Sequence, residues 1–324
     1  MLKVIVIKEK TIMLRFIISF ALVFAFMTGA YAREQISIVG SSTVYPFATV
    51  VAERFGKTGF KTPVIESTGT GGGMKLFCKG IGTNTPDVTN ASRAIKPKEL
   101  KLCKDNGVTN ITQVIVGLDG IAFTSSSKGQ QYNFTKQHIW EAMSAYGSKP
   151  KKWSDIDPSL PDYEIAILTP PATSGTRDAW NSLVMRKGCD KSKGLDKKQC
   201  VQLREDGPVI EVGENDTLII QKLVNDKTYF GIFGYSYFDN SRDKVLAHKI
   251  EGVEISLKGI QDGSYPISRP LYFYVKDQHI GIIPGLDKYV KSFTSKRAIG
   301  KKGYLLDLGL VPLANINDSV SKVK

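Results

Sequence analysis

Between residues 35 and 116 short apolar runs of strand length alternate with helical stretches, and this alternation constrains the fold more than any other feature of the chain. Strand-like runs at 35–39, 63–67, 87–90 and 112–116 are separated by helical stretches at 46–57, 72–79 and 98–105. A β-α-β order of this kind predicts an α/β domain with a parallel sheet covered by helices on both faces. Residues 117–124 read as a long strand leaving that domain. A second region opens at 134–143, followed by a basic, proline-containing loop to Trp153, a buried strand at 164–168 and helices at 176–186 and 215–224. The extended run 265–275 can carry the chain back. Two crossings between two α/β lobes describe a hinged clamshell with a ligand cleft between the lobes.

The first thirty-two residues stand outside this pattern. Lys3, Lys8, Lys10 and Arg15 precede the apolar run 16–27 and then Ala30-Tyr31-Ala32, which reads as a secretory signal cleaved after Ala32. The run is shorter than the roughly 20 apolar residues a membrane-spanning helix needs. Met13-Leu14-Arg15 makes a more typical start than the long stretch 1–12, so Met1 and Met13 are both candidate start sites. Export to the periplasm is expected, and in an oxidising compartment four cysteines usually pair. Three connectivities are open; pairing neighbours keeps each bridge inside one local unit, and Cys78–Cys103 with Cys189–Cys200 is the expected set. A zinc site is disfavoured, because no C-x-x-C occurs and His138, His248 and His279 lie far apart.

The composition, 42% hydrophobic and 23% charged, is that of a globular chain and excludes disorder. The net charge of +13, or +10 without the leader, is spread along the chain with acids interleaved, so a solvated basic surface is expected and a nucleic-acid partner is not.

Four segments carry the chemistry, each where a strand ends and a helix begins. Gly40-Ser41-Ser42-Thr43-Val44-Tyr45-Pro46 places small hydroxyl residues at a helix start, where N–H groups and hydroxyls can meet an anion, although a plain capped helix is the commoner meaning. Ser67-Thr68-Gly69-Thr70-Gly71-Gly72-Gly73-Met74-Lys75 lets the backbone approach an oxyanion closely. It has neither a Walker ending nor the third glycine of a dinucleotide fingerprint, which argues against nucleotide binding. Asp87-Val-Thr-Asn90-Ala-Ser92-Arg93 ends a strand. In Ala172-Thr173-Ser174-Gly175-Thr176-Arg177-Asp178, Ser174 is expected to cap a helix whose N-terminal N–H groups and the Arg177 guanidinium would meet one anion. For Arg93 and Arg177 the plain alternative is a surface salt bridge, and Asp178 reads as a first-turn acid complementing the helix dipole. No G-x-S-x-G elbow surrounds Ser174 and no histidine lies near the four segments, so catalysis has no support and no cofactor or metal is implied.

As a set, Gly-Ser-Ser-Thr-Val-Tyr-Pro, Ser-Thr-Gly-Thr-Gly-Gly-Gly, Asn-Ala-Ser-Arg and Ser-Gly-Thr-Arg-Asp resemble the motifs of the PstS family, the periplasmic phosphate-binding proteins of phosphate ABC transporters. The resemblance runs from about residue 35 to the C-terminus and includes 117–123, 230–237 and 265–275. It implies the two-lobed type II periplasmic-binding-protein fold, with residues 33–120 and 272–324 as one lobe and 121–271 as the other. It further implies phosphate contacts from Ser42, Thr43 and the Val44 N–H, from Thr70 and Ser92, and from Ser174, Gly175, Thr176 and Arg177, and Arg93 is counted with them as phosphate-binding. Some family members carry an aspartate right after the Ala-Ser of the third motif and an arginine upstream of Ser-Gly-Thr; here those positions hold Arg93 and Pro170.

Phosphate near neutral pH keeps a proton and sulfate keeps none, so a carboxylate that accepts from P–O–H faces sulfate with an unpaired like charge. Asp119, at the first crossing, is the candidate acceptor, with a hinge-turn role in Asp-Gly as its alternative. The implied function is a non-catalytic, monomeric carrier that delivers inorganic phosphate to a membrane permease. An exported phosphatase-like hydrolase, or a carrier of another oxyanion such as sulfate, are the competing readings.

Overall fold

A computed structural model describes residues 33–213 and 216–323; the expected leader over 1–32 lies outside the described residues. The first half runs β1 (Ser37–Gly40), α1 (Tyr45–Gly56), β2 (Val64–Ser67), α2 (Gly69–Phe77), β3 (Val88–Ala91), α3 (Pro97–Asp105) and the long β4 (Ile111–Ser126). β5 (Asn133–Phe134), α4 (Lys136–Met143), β6 (Ile167–Thr169), α5 (Gly175–Trp180), β7 (Val209–Glu211), α6 (Asp216–Asn225), β8 (Phe230–Gly234), β9 (Val245–Ala247) and β10 (Lys249–Ile250) follow. The chain returns along β11 (Ser268–Lys276) and closes with α7 (Leu286–Phe293) and β12 (Val320–Lys322).

Local sequence explains these elements. In α1, Pro46 sits in the first turn, and Phe47, Ala48, Val51, Ala52 and Phe55 bury one face at helical spacing. In α5, the expected single helix over 176–186 passes through a π turn, Asn181–Met185, before it ends at Arg186–Gly188.

β1 lies between β2 and β3 and is parallel to both, as the alternation predicts. The expectation that residues 112–116 extend this parallel sheet is not met. β11 stands between β3 and β4 and is antiparallel to each, so the sheet is mixed. The reason is topological: β4 carries the chain out of one core, and the segment bringing it back beside β4 must run the other way. Beyond Gly120, β4 pairs instead with β8 and β9, and β8 continues into β6 and then β7.

The cores divide where the crossings are. One apolar cluster takes residues from Ile36 to Val116 and from Leu271 to Leu310. Another takes Leu118 to Ile267 together with Val311, around the aromatic group Phe123, Phe134, Trp153, Trp180 and Phe230. Between them the β4–β11 pairing slips at Leu271/Tyr272. Gly117 lies at this slip with φ +157°, and a Cβ there would come within 2.7 Å of the Leu310 side chain and 2.8 Å of the Val311 carbonyl oxygen. Only glycine fits so close an approach.

Both disulfides are local. Cys78–Cys103 joins the end of α2 to α3 in a small cluster with Met74, Phe77, Tyr272 and Tyr274. Cys189–Cys200 closes a short loop beside Trp140, whose Nε1 donates to the Cys200 carbonyl at 2.9 Å. Among the described residues no helix is long and apolar enough to cross a membrane.

Candidate functional site

The parallel pairing of β1 with β3 brings two of the four segments together at their C-terminal ends, the usual place for a ligand in open α/β sheets. The Ser41 N–H donates to the Asn90 carbonyl at 3.0 Å. From there Ser92 faces α2: its N–H donates to Thr70 Oγ1 at 3.1 Å, and the two hydroxyl oxygens are 3.1 Å apart. The glycine run is not a loop before a helix, since α2 already begins at Gly69 and Thr70 lies in its first turn.

The first segment also meets the fourth. Val44, not a hydroxyl residue, occupies the N-cap position of α1, and the hydroxyls of the segment serve elsewhere. Thr43 is buried, and its Oγ1 donates to the Gly175 carbonyl at 3.3 Å. A Cβ on Gly175 would lie 2.7 Å from the Thr43 Cα, so the two backbones touch as no other residue at 175 allows. Ser174 stands at the N-cap of α5, yet its hydroxyl makes no capping hydrogen bond. The sequence expectation that Ser174 caps this helix holds for its position only.

The two candidate arginines separate. Arg93 is held by Glu99, Nη1 at 2.9 Å from Oε2 and Nη2 at 2.7 Å from Oε1, which is the salt-bridge reading of that residue. Glu99 also accepts from the Lys96 N–H at the start of α3. Arg177 is buried. Its Nη1 donates to the Pro170 carbonyl at 2.9 Å, to Glu211 Oε1 at 3.1 Å and to Thr169 Oγ1 at 3.3 Å, while Nε is buried without a hydrogen-bond partner. Burial lowers its pKa from the ordinary arginine value, and the Glu211 carboxylate works against that.

Asp119 sits on β4 with Arg269 of β11 directly opposite in the register. Its Oδ2 is 3.5 Å from Arg269 Nε, an ion pair in which neither atom has a hydrogen-bond partner. Burial pushes the Asp119 carboxyl above the usual aspartate range; the Arg269 guanidinium pulls it back, and the Asp178 charge adds to the rise. Arg269 Nη2 donates to Thr43 Oγ1 at 3.0 Å and lies 3.7 Å from Asp178 Oδ2.

Arg269, which the sequence reading left out, and Asp178, which it gave only a helix-dipole role, thus stand with the candidate acceptor Asp119. A signal for the first was present: an arginine in Ser-Arg-Pro-Leu-Tyr-Phe-Tyr-Val, a strand otherwise fit for burial, needs a buried partner. For Asp178 the helix-dipole role covers only part of its surroundings.

Thr43 adjoins the buried Arg269 with the Asp119 and Asp178 carboxylates, and Thr70 adjoins Ser92 at the neighbouring strand end; hydroxyls, a guanidinium and a carboxylate are the groups that can take a small anion and read its proton. Among the described residues no group of three or more His, Cys, Asp or Glu is placed to hold a metal ion. The three histidines serve structure: His248, for example, is buried among aromatic rings, its pKa lowered by burial to about 3, and its Nδ1 accepts the Tyr132 N–H.

The family model of the PBP superfamily domain matches residues 27–297. The phosphate-binding protein PstS of Staphylococcus saprophyticus is 30% identical over 259 residues, covering 78% of this chain and 73% of the relative. Protein SphX of a Synechocystis species is 29% identical over 291 residues, 86% of this chain and 80% of the relative. A crystal structure described as a possible phosphate binding protein, from Planctomyces limnophilus, superposes with a TM-score of 0.73 at 28% identity, covering 86% of this chain and 93% of the other.

Proposed function

Because the chain belongs to the PBP superfamily and, within it, to the family of the phosphate-binding protein PstS, we propose that it captures inorganic phosphate and delivers it to the permease of an ABC transporter. It is a substrate-binding transport protein of the two-lobed type II fold, not an enzyme. In this reading residues 33–120 with 272–324 form one lobe and 121–271 the other, and the protein works as an exported monomer whose leader is removed after Ala32.

The phosphate oxygens receive hydrogen bonds from the hydroxyls of Ser42, Ser174 and Thr176, from the Thr70–Ser92 hydroxyl pair and from the N–H groups of Val44 and Gly175, with Thr43, whose own proton goes to the Gly175 carbonyl, in contact beside them. Arg177 supplies positive charge from α5, and its unpartnered buried Nε supports that role. Arg93, already paired with Glu99, braces the wall of the cleft.

The observation that carries the proposal is Asp119 Oδ2, a buried carboxylate oxygen without a hydrogen-bond donor beside the Thr43 and Gly175 contact. It can accept the P–O–H proton of phosphate, whereas sulfate offers it none. Calorimetric titration of the ligand-stripped protein with phosphate and with sulfate is the test: tight phosphate and weak sulfate binding is expected, and equal affinities would overturn Asp119's role. Arg177→Ala should weaken phosphate binding by at least ~1.5–3 kcal/mol, the scale of a hydrogen bond to a charged group. A normal affinity there would remove Arg177 from the site.

A further inference from the structure

Burying an arginine is costly unless its charge is matched, and Arg269 is only 9% exposed. Its guanidinium reaches three segments that are far apart in sequence. Nε faces Asp119 on β4, Nη2 donates to Thr43 in the loop after β1, and the same Nη2 approaches Asp178 in the first turn of α5. Thr43 in turn donates to Gly175, so a chain of contacts runs from the Asp119 carboxylate through Arg269 to the place where the first and fourth segments meet.

The contact with Asp119 has a particular form. At 3.5 Å, with neither Nε nor Oδ2 in a hydrogen bond, Arg269 holds the carboxylate by charge and leaves the lone pairs of Oδ2 open to another donor. Among the described residues the charges acting on Asp119 are those of Arg269 and Asp178; Asp178 and burial both favour the protonated carboxyl, and Arg269 favours the ionised one. A protonated carboxyl would donate a hydrogen bond, and an oxygen of sulfate could accept it as well as one of phosphate.

We propose that Arg269 is the positioning residue for phosphate-over-sulfate selection: it keeps Asp119 charged and aimed, so that the carboxylate remains an acceptor for P–O–H, and through Thr43 it couples that acceptor to the closing of the cleft. The inference rests on the phosphate reading above. Arg269 acts through Asp119, and its signature is a pH profile.

The experiment is calorimetric titration of phosphate and sulfate into ligand-stripped full chain, wild type, R269Q and R269K, at several pH values between about 5 and 8.5, the range in which phosphate itself changes charge. In R269Q the ratio of phosphate to sulfate affinity should fall roughly tenfold or more at neutral pH, and the pH below which selectivity collapses should move upward, because the buried carboxyl loses its counter-charge. R269K retains the charge and should keep the ratio within about threefold of wild type. An R269Q protein with the wild-type ratio, or with an unmoved pH profile, overturns the inference. So does an R269K protein that loses selectivity beyond threefold, and this second variant carries the test if R269Q does not fold. Failure of the wild type to bind phosphate at all would bring down the phosphate reading itself, and is distinguishable from either result.

Discussion

Asp119 sets one requirement against another. Its folded-state pKa is raised, so the folded protein holds that proton more tightly than the unfolded chain does. The stability this contributes is complete at acid pH and is lost as pH rises from the ordinary aspartate range through the raised value; at neutral pH the ionised, buried group is a cost. Asp119→Asn should therefore raise the melting temperature of the ligand-free protein at pH 7, with the gain vanishing in acid, while narrowing the phosphate-over-sulfate ratio. Thermal unfolding across pH and titration of both anions check the two halves; an unchanged ratio returns Asp119 to a hinge role. The hydroxyl and glycine clusters around Ser42, Thr70, Ser92 and Ser174 were legible in the sequence because each is a local pattern at a strand end. Arg269 was not, since its contact with Thr43 spans 226 residues and depends on the register of β11 against β4, which no local pattern specifies.

At the scale of elements, α5 and the loop after β1 are joined through Gly175. Gly175→Ala would drive a methyl against the Thr43 backbone, which cannot yield as a flexible side chain can. Relief of such overpacking costs about 1–3 kcal/mol, and here moving α5 off Thr43 provides it, so phosphate affinity should drop roughly tenfold with the circular dichroism spectrum intact. A wild-type affinity would show that this approach is not needed for binding. The Cys78–Cys103 bridge ties α2 to α3, and replacing both cysteines with serine should lower stability by roughly 2–4 kcal/mol in denaturant titration. Because no cysteine belongs to the four segments proposed to meet the anion, phosphate affinity in that variant should remain close to wild type. Helix and strand positions in the first half were read to within a few residues. The antiparallel insertion of β11 was missed, because alternation along the chain records the order of elements and not their neighbours.

For the whole molecule, two apolar cores meet at a pair of adjacent crossing strands that slips beside Gly117. If the halves move about that point, saturating phosphate should reduce the radius of gyration in small-angle scattering, and sulfate at the same concentration should not. A radius insensitive to phosphate would mean that the crossings act as a rigid join. The central place of β11 has another consequence, for the order in which the protein can be made. During synthesis the strands β1 to β4 emerge long before it, and until it arrives β3 and β4 have no partner between them, so the middle of the sheet offers two open edges. Long-range pairing of this kind is slow to form. Since Arg269 travels on the late strand, a ligand whose binding depends on that residue can act only on a nearly finished molecule, as a seal on the last folding step and not as a template for the first.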